Sequence, residues 1–281
     1  MTGGHRALRA RVCGIGLVAP GLPDWPSGTR VLAGLEAWRP APLKIPVTDL
    51  LPPAERRRAG TAIRLALACG HEAIVDSGFE ADAVASVFAS SDVDAENTHR
   101  ICLALNEAEP SLSPTRFHNS VQNAVSGYWT IATGSRAPTT MVMGGDEVLA
   151  LGLLEAVTQA MQGAGPVLLV VFDVPMPAPL FATHPVEEGG AIALVLAASV
   201  GKGPTIALDL LHKPGSERMA GAEKAACGQR HAAWAGLEHL RGMHPVGAAL
   251  PLLSLLAGSE VGGQTHLDYD RYHALRVAVE S

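Results

Sequence analysis

Apolar positions along this chain alternate between short saturated runs and longer runs at helical spacing. Val12–Val18 reads as a buried strand interrupted by Gly14 and Gly16, and the turn-rich stretch from Pro20 to Pro26 cannot continue it. From Ala54 to Ile74 apolar residues recur on one helical face, with the early charges on the opposite side, which predicts a surface helix. Val84–Ser90 is short enough for a central strand, and Asn97–Leu105 follows as a helix behind an Asp/Asn-rich opening that can cap it. Thr139–Met143 predicts a strand, Glu147–Met161 a helix, and Pro166–Asp173 a strongly apolar strand between Gly165 and Pro175. Ala191–Ala198 and Thr205–Leu211 read as further strands, and Lys213–Ala235, rich in alanine, glycine and charge, as helical. Pro245–Leu256 resumes a helical pattern in which Pro251 fits as a kink or near the helix start, and Ala274–Val279 supplies a terminal strand. Such alternation is that of an α/β protein with buried sheets.

With 281 residues, 48% of them hydrophobic, the chain can bury a large core as one domain or two closely joined halves. Aromatics are only 4%, a composition suited to close helix and sheet packing. The net charge of −6 comes without a long basic tract, and Arg56-Arg57-Arg58 reads as a solvated helix face, so no nucleic-acid partner is expected. Cys13, Cys69, Cys102 and Cys227 are scattered without a CxxC pair and read as buried thiols in a reducing compartment. The first eleven residues lack the apolar core of a secretory signal, and no apolar run is long enough to span a bilayer; a cytoplasmic protein is expected.

Cofactor and metal patterns are incomplete. Cys13-Gly-Ile-Gly16 lacks the rest of a dinucleotide fingerprint and lies inside a strand, and no phosphate-binding loop is present. His118 lacks a second histidine at ligand spacing, and His99, His184, His239, His266 and His273 read as surface or hydrogen-bonded residues. No cofactor and no metal are expected.

Candidate chemistry concentrates in Ser113-Pro-Thr-Arg-Phe-His-Asn-Ser-Val-Gln-Asn-Ala-Val-Ser-Gly-Tyr-Trp-Thr-Ile-Ala132 and in Gly134-Ser-Arg-Ala-Pro-Thr-Thr-Met-Val-Met-Gly-Gly-Asp146. These stretches closely resemble the approach to the nucleophile elbow of β-ketoacyl-acyl-carrier-protein synthases, with Asp146 standing where the family carries its cysteine. The resemblance runs from about Phe88 to Ala198 and resumes at Met243-His-Pro-Val-Gly-Ala-Ala249, where His244 takes the place of one family histidine. The family's second histidine sits in a His-Gly-Thr-Gly-Thr segment that this sequence lacks. The implied fold is the thiolase-like layered αβαβα arrangement, with an N-terminal half at about 8–165 and a reduced C-terminal half at 166–281.

Asn119-Ser-Val-Gln-Asn-Ala-Val-Ser-Gly-Tyr-Trp-Thr-Ile and Gly134-Ser-Arg-Ala-Pro resemble more narrowly the chain-length-factor proteins of aryl polyene and xanthomonadin-type pathways. That resemblance implies a noncatalytic subunit that pairs with an active ketosynthase, shapes its acyl tunnel and helps position the acyl carrier protein. Asp146, His118 and His244 then form a degenerate site, because a carboxylate cannot hold a stable thioester. Phe117, Tyr128, Trp129 and Met141 are tunnel-wall or interface candidates whose alternative role is core packing. Asp146 is expected to cap the helix after a tight strand-to-helix turn. Three alternatives stay open: a homodimer, a stand-alone acyl-processing enzyme using Asp146, His118 and His244, and a scaffold or carrier-protein-binding module.

Overall fold

The computed structural model describes residues 8–163, 165–213, 237, 240, 245–258 and 262–280. Its eight strands are β1 (Leu8–Val18), β2 (Ala85–Ser90), β3 (Thr139–Met143), β4 (Val167–Asp173), β5 (Gly190–Ala197), β6 (Thr205–His212), β7 (Gly263–Asp268) and β8 (His273–Glu280). They form one sheet in the order β3-β2-β4-β5-β1-β6-β8-β7. β2 runs parallel to β3 and β4, and every pairing from β4 through β5, β1, β6 and β8 to β7 is antiparallel. β4 and β5 are buried at every position, which explains why both read as continuous apolar runs without alternation.

Among the described residues the helices are α1 (Trp25–Leu32), α2 (Pro53–Arg58), α3 (Thr61–Ser77), α4 (Ala95–Leu105), α5 (Pro114–His118), α6 (Ala124–Thr133), α7 (Val148–Met161), α8 (Ala178–Phe181) and α9 (Val246–Ala257). α3 and α6 cover one face of β2, β4 and β5, where Phe88, Leu168, Val170 and Phe172 meet Tyr128 and Trp129. On the other face α7 packs against β1, β2, β4 and β5 and also touches β7, while α9 reaches β5, β7 and β8. The sheet therefore curls around α7 and α9, and Leu153, Val157, Leu250 and Leu253 share a core with Leu194 on one side and Leu275 and Val277 on the other. This is the thiolase-like layering expected, with its two β layers joined where β1 pairs with β6 at Leu8–Arg11.

Gly14 and Gly16 let α3 press onto β1. A Cβ at Gly14 would stand 2.2 Å from the Ala73 carbonyl oxygen, and one at Gly16 the same distance from that of Cys69. Beyond Arg11 the outward N–H groups of β1 leave β6, and side chains of α3 take them: Ile15 N–H donates to Asp76 at 2.9 Å and Leu17 N–H to Glu72 at 2.8 Å. Glu72 also accepts from Trp25 N–H at 2.6 Å, fixing the start of α1, which Asp24 caps through Ser27 N–H.

Several boundaries differ from expectation. The single helix expected over Ala54–Ile74 is two, α2 and α3, because Ala59 and Gly60 are extended between them. α1, α5, α6 and β7 were not expected; β7 carries Gln264, Thr265 and His266 and lacks an apolar run. The Cys102 side is exposed and Cys13 half-buried, so only Cys69 among the described cysteines is the buried thiol expected. Apart from Lys213, the stretch read as helical over Lys213–Ala235 lies outside the described residues, as do His244 and Cys227. No described helix is long and apolar enough to cross a membrane.

Gly16→Ala is expected to cost about 2–3 kcal/mol, because the clash is with backbone. Gly127→Ala, within α6 and facing open space, is expected to gain about 0.5–1 kcal/mol. Urea denaturation midpoints moving in the same direction for both would contradict this packing. Burial holds the Glu72 carboxyl above its ordinary range despite the Leu17 and Trp25 N–H donors that lower it, and the Asp24 and Asp76 charges add to the rise. A raised folded value makes the Glu72 contribution complete below the ordinary carboxylate range and lost as pH rises through that value. The stability difference between wild type and Glu72→Gln should therefore fall as pH rises from about 4, the ordinary glutamate value, through the raised folded value, and a flat difference would refute the assignment.

Candidate functional site

β2, β3 and β4 are parallel, so their carboxyl ends open on the same side, the position at which α/β sheets gather ligand-facing loops. From β3 the chain turns through Gly144 and Gly145 into a one-turn 3-10 segment, Gly145–Glu147, and then α7. Both glycines are required locally. Gly145 has φ +48, and a Cβ on Gly144 would stand 2.3 Å from Leu151 Cδ1. Asp146 lies at the apex of this turn with its side chain about half exposed. It does not occupy the N-cap expected for it: Glu147 holds that position, and no side-chain capping bond is made there. Instead Asp146 Oδ1 lies 3.3 Å from His184 Nδ1, on the connection between β4 and β5.

Beside this pair, the β2–α4 loop is tied to the end of β4. Asp173, 2% exposed, accepts from the Ser90 hydroxyl at 2.8 Å and from Ser91 N–H at 2.9 Å, and Ser90 Oγ accepts from Val93 N–H at 2.8 Å. Val93 has φ +46, a conformation that costs a β-branched residue about 1–3 kcal/mol, and these bonds hold it there. Partial burial raises the Asp92 carboxyl above its ordinary value; the Asp173 charge adds to this, His184 opposes it, and Asp94 adds slightly. Three loops thus bring Asp92, Asp173, Asp146 and His184 into one electrostatic neighbourhood. Among the described residues no cluster of three or more His, Cys, Asp or Glu side chains could hold a metal ion.

The remaining sequence candidates divide by burial. Tyr128 and Trp129 are 1% exposed and pack in the core; the Tyr128 hydroxyl donates to Asn119 Oδ1 at 3.3 Å, and Trp129 sets its ring edge-on to Phe88 at 6.1 Å. Buried Asn119 also donates through Nδ2 to the Arg58 carbonyl at 2.9 Å, and Asn97 Nδ2 to that of Arg116, tying α5 to α2 and α4. Met141 packs partly against the same core from the edge strand β3. Phe117, by contrast, is 64% exposed on α5. His118 is exposed at the end of α5, its ring 6.2 Å from that of Tyr128. His184 was read from sequence as an ordinary surface or hydrogen-bonded histidine, and no local periodicity in Thr183-His-Pro185 marks it as the neighbour of Asp146.

Asp173→Ala is expected to cost about 2–3 kcal/mol, because two inward donors lose a charged acceptor. Asp173→Asn keeps one acceptor oxygen and should cost less. Equal denaturation midpoints for wild type and Asp173→Ala would show that the tie does not stabilise the loop.

Compared with solved structures, the fold overlays on a chain of the ketosynthase (ApeO) in complex with its chain length factor (ApeC) from Xenorhabdus doucetiae. The TM-score is 0.70 at 22% identity, over 97% of this chain and 99% of that one. It matches the ishigamide ketosynthase/chain length factor with a TM-score of 0.68 at 16% identity, again over 97% and 99%. A third similar structure is the AntDE:AntF complex of a type II polyketide acyl-carrier protein with its ketosynthase bound to the hexaketide, with a TM-score of 0.71, 12% identity and the same coverage. No curated protein matches the chain in sequence. The family described as beta-ketoacyl synthase, N-terminal domain, matches residues 33–244, most of the chain, and the protein belongs to the β-ketoacyl synthase family.

Proposed function

We propose that this chain is a noncatalytic, ketosynthase-like chain-length-factor subunit. It pairs with an active β-ketoacyl-acyl-carrier-protein synthase, contributes to the acyl tunnel and helps position the acyl carrier protein in an aryl polyene, polyketide or fatty-acid-type pathway of the cytoplasm. The observation that carries the reading is Asp146 at the apex of the turn between β3 and α7. A ketosynthase needs a thiolate there to accept the acyl group, and the described cysteines lie elsewhere, in β1, α3 and α4. A carboxylate at that place would give an acyl anhydride, which water cleaves, and so does not hold a growing chain.

Two further features support a partner-dependent role. The family relatives of like fold include chains from complexes of a ketosynthase with its chain length factor. Exposed Phe117, Val121 and Ile131 on and around α5 and α6 also leave shaped apolar bulk on the surface, of the kind a subunit boundary covers. A rigid acyl chain lying near such a boundary would have its length limited by side chains from both subunits.

Co-expression with an intact ketosynthase, purification of the assembly and reconstitution with malonyl-loaded carrier protein tests the proposal. A stable mixed dimer is expected, with turnover falling at least about tenfold and product length changing when this chain is left out. Condensation by the isolated chain, or product lengths indifferent to its presence, would refute the reading.

A further inference from the structure

β6 ends and β8 begins with histidines set opposite each other: His212 pairs with His273 in the register of the two strands. One position on, Lys213 N–H donates to the Tyr272 carbonyl at 2.7 Å, so Lys213 and Tyr272 form a hydrogen-bonded pair and His212 and His273 an open one, the kind in which side chains approach most closely. The two rings leave the same face of the sheet, their centres 5.5 Å apart and their planes 64° from each other. His212 is exposed and His273 half-buried, so solvent reaches both. Lys213 and Arg276 point to the opposite face, where Asp268 and Asp209 pair with them. The turn before His273 holds its ring. Asp270 accepts from Tyr272 N–H at 2.6 Å and from His273 N–H at 2.7 Å, and its carboxylate faces His273 Nδ1 at 2.9 Å. The bond to the His273 ring, foremost, holds the Asp270 carboxyl below its ordinary range, so the group is ionised and can only accept. Nδ1 therefore carries the ring proton, and Nε2 keeps its lone pair.

We infer that His212 and His273 chelate a zinc ion across the two strands, His273 through Nε2, with water completing a tetrahedral shell. Zinc–imidazole bonds are about 2.1 Å long, which sets the centres of two rings on one tetrahedral ion about 5–5.5 Å apart, whereas rings at adjacent corners of an octahedron stand about 4.5 Å apart. The 5.5 Å between these rings fits the tetrahedral ion. Asp270 is engaged at Nδ1 and serves as the outer partner that fixes the ring and raises its basicity, as carboxylates beside metal-bound histidines do. With Asp270 so engaged, the chelate has two protein ligands and not the three or more of a protein-enclosed centre, so the ion exchanges readily with solvent. The bound ion ties the end of β6 to the start of β8. The two histidines lie far apart in sequence and meet only through the β6–β8 pairing, so ligand spacing along the chain does not mark them. The inference goes beyond the functional proposal and does not depend on it.

Calorimetric titration of Zn2+ into the chelator-stripped full chain at about pH 7.5, where ordinary imidazoles are neutral, tests the chelate against His212→Gln, His273→Gln and the double variant. The wild type is expected to bind one more Zn2+ per chain than the double variant. Each single variant should weaken that site at least about tenfold, and Mg2+ should not compete for it. Both side chains reach solvent, so the variants should keep the wild-type circular dichroism spectrum. Asp270→Asn should weaken the site about tenfold in the wild-type background and leave Zn2+ binding unchanged in the His273→Gln chain, a split that a purely structural role in the turn would not produce. Zinc binding equal in the wild type and the double variant, a single variant as tight as the wild type, or displacement of Zn2+ by Mg2+ would overturn the inference. So would ring-nitrogen NMR resonances of His212 and His273 that Zn2+ leaves unmoved in the wild type.

Discussion

The close seating of α3 on β1 is the contact from which the layered structure follows. β1 serves both β layers, pairing with β5 over most of its length and with β6 only at its start, so its later N–H groups would be left without acceptors. Asp76 and Glu72 supply those acceptors, and they reach the backbone only because Gly14 and Gly16 have no Cβ to hold the helix away. One stretch of sequence thus lets the strand belong to two layers. Between those layers α7 and α9 are buried, and the strand ends that form the candidate site are set by the same packing.

Much of this architecture was legible in the pattern of residues because burial and periodicity coincide there. β4 is buried on both faces and reads as an unbroken apolar run; β3 was bounded correctly by its β-favouring residues and the glycines after it. The reading weakened where tertiary contacts, and not local pattern, decide the structure. Ala59 and Gly60 break a helix whose apolar spacing continues across them, and the extended Gly60 leaves a Cβ position 3.1 Å from Asp94 Oδ2. β7 is the outermost strand, paired with β8 on one side, so hydrogen bonding to β8 carries it where apolar content does not.

The site divides along the same line. Asp146 was conspicuous in sequence because the family resemblance set it at the position of the ketosynthase cysteine, after Gly144 and Gly145, and the turn it occupies is a local structure. Its contact with His184 is not local: the two are brought together because β3 and β4 are both parallel to β2 and the chain after β4 folds back over their ends. Likewise Tyr128 and Trp129, which a motif alone leaves between core and interface, are drawn inward by Asn119 and Phe88, while Phe117, one short helix away, has no such anchor and stays at the surface.

The shape of the turn at Asp146 is set by packing and not by the chemistry of its apex. Leu151 fills the space that a Gly144 side chain would take, Gly145 supplies the left-handed backbone, and Val148, Leu149 and Leu153 then enter the central core as the first turns of α7. A change at Gly144 or Gly145 would move α7, none of whose residues is exposed, whereas a change at Asp146 alters only a half-exposed side chain. The chain can therefore carry a half-exposed carboxylate at the apex of this turn and keep the turn, the core and the edge strand that leads into it. The scaffold keeps its fold because its packing resides in the residues on either side of Asp146.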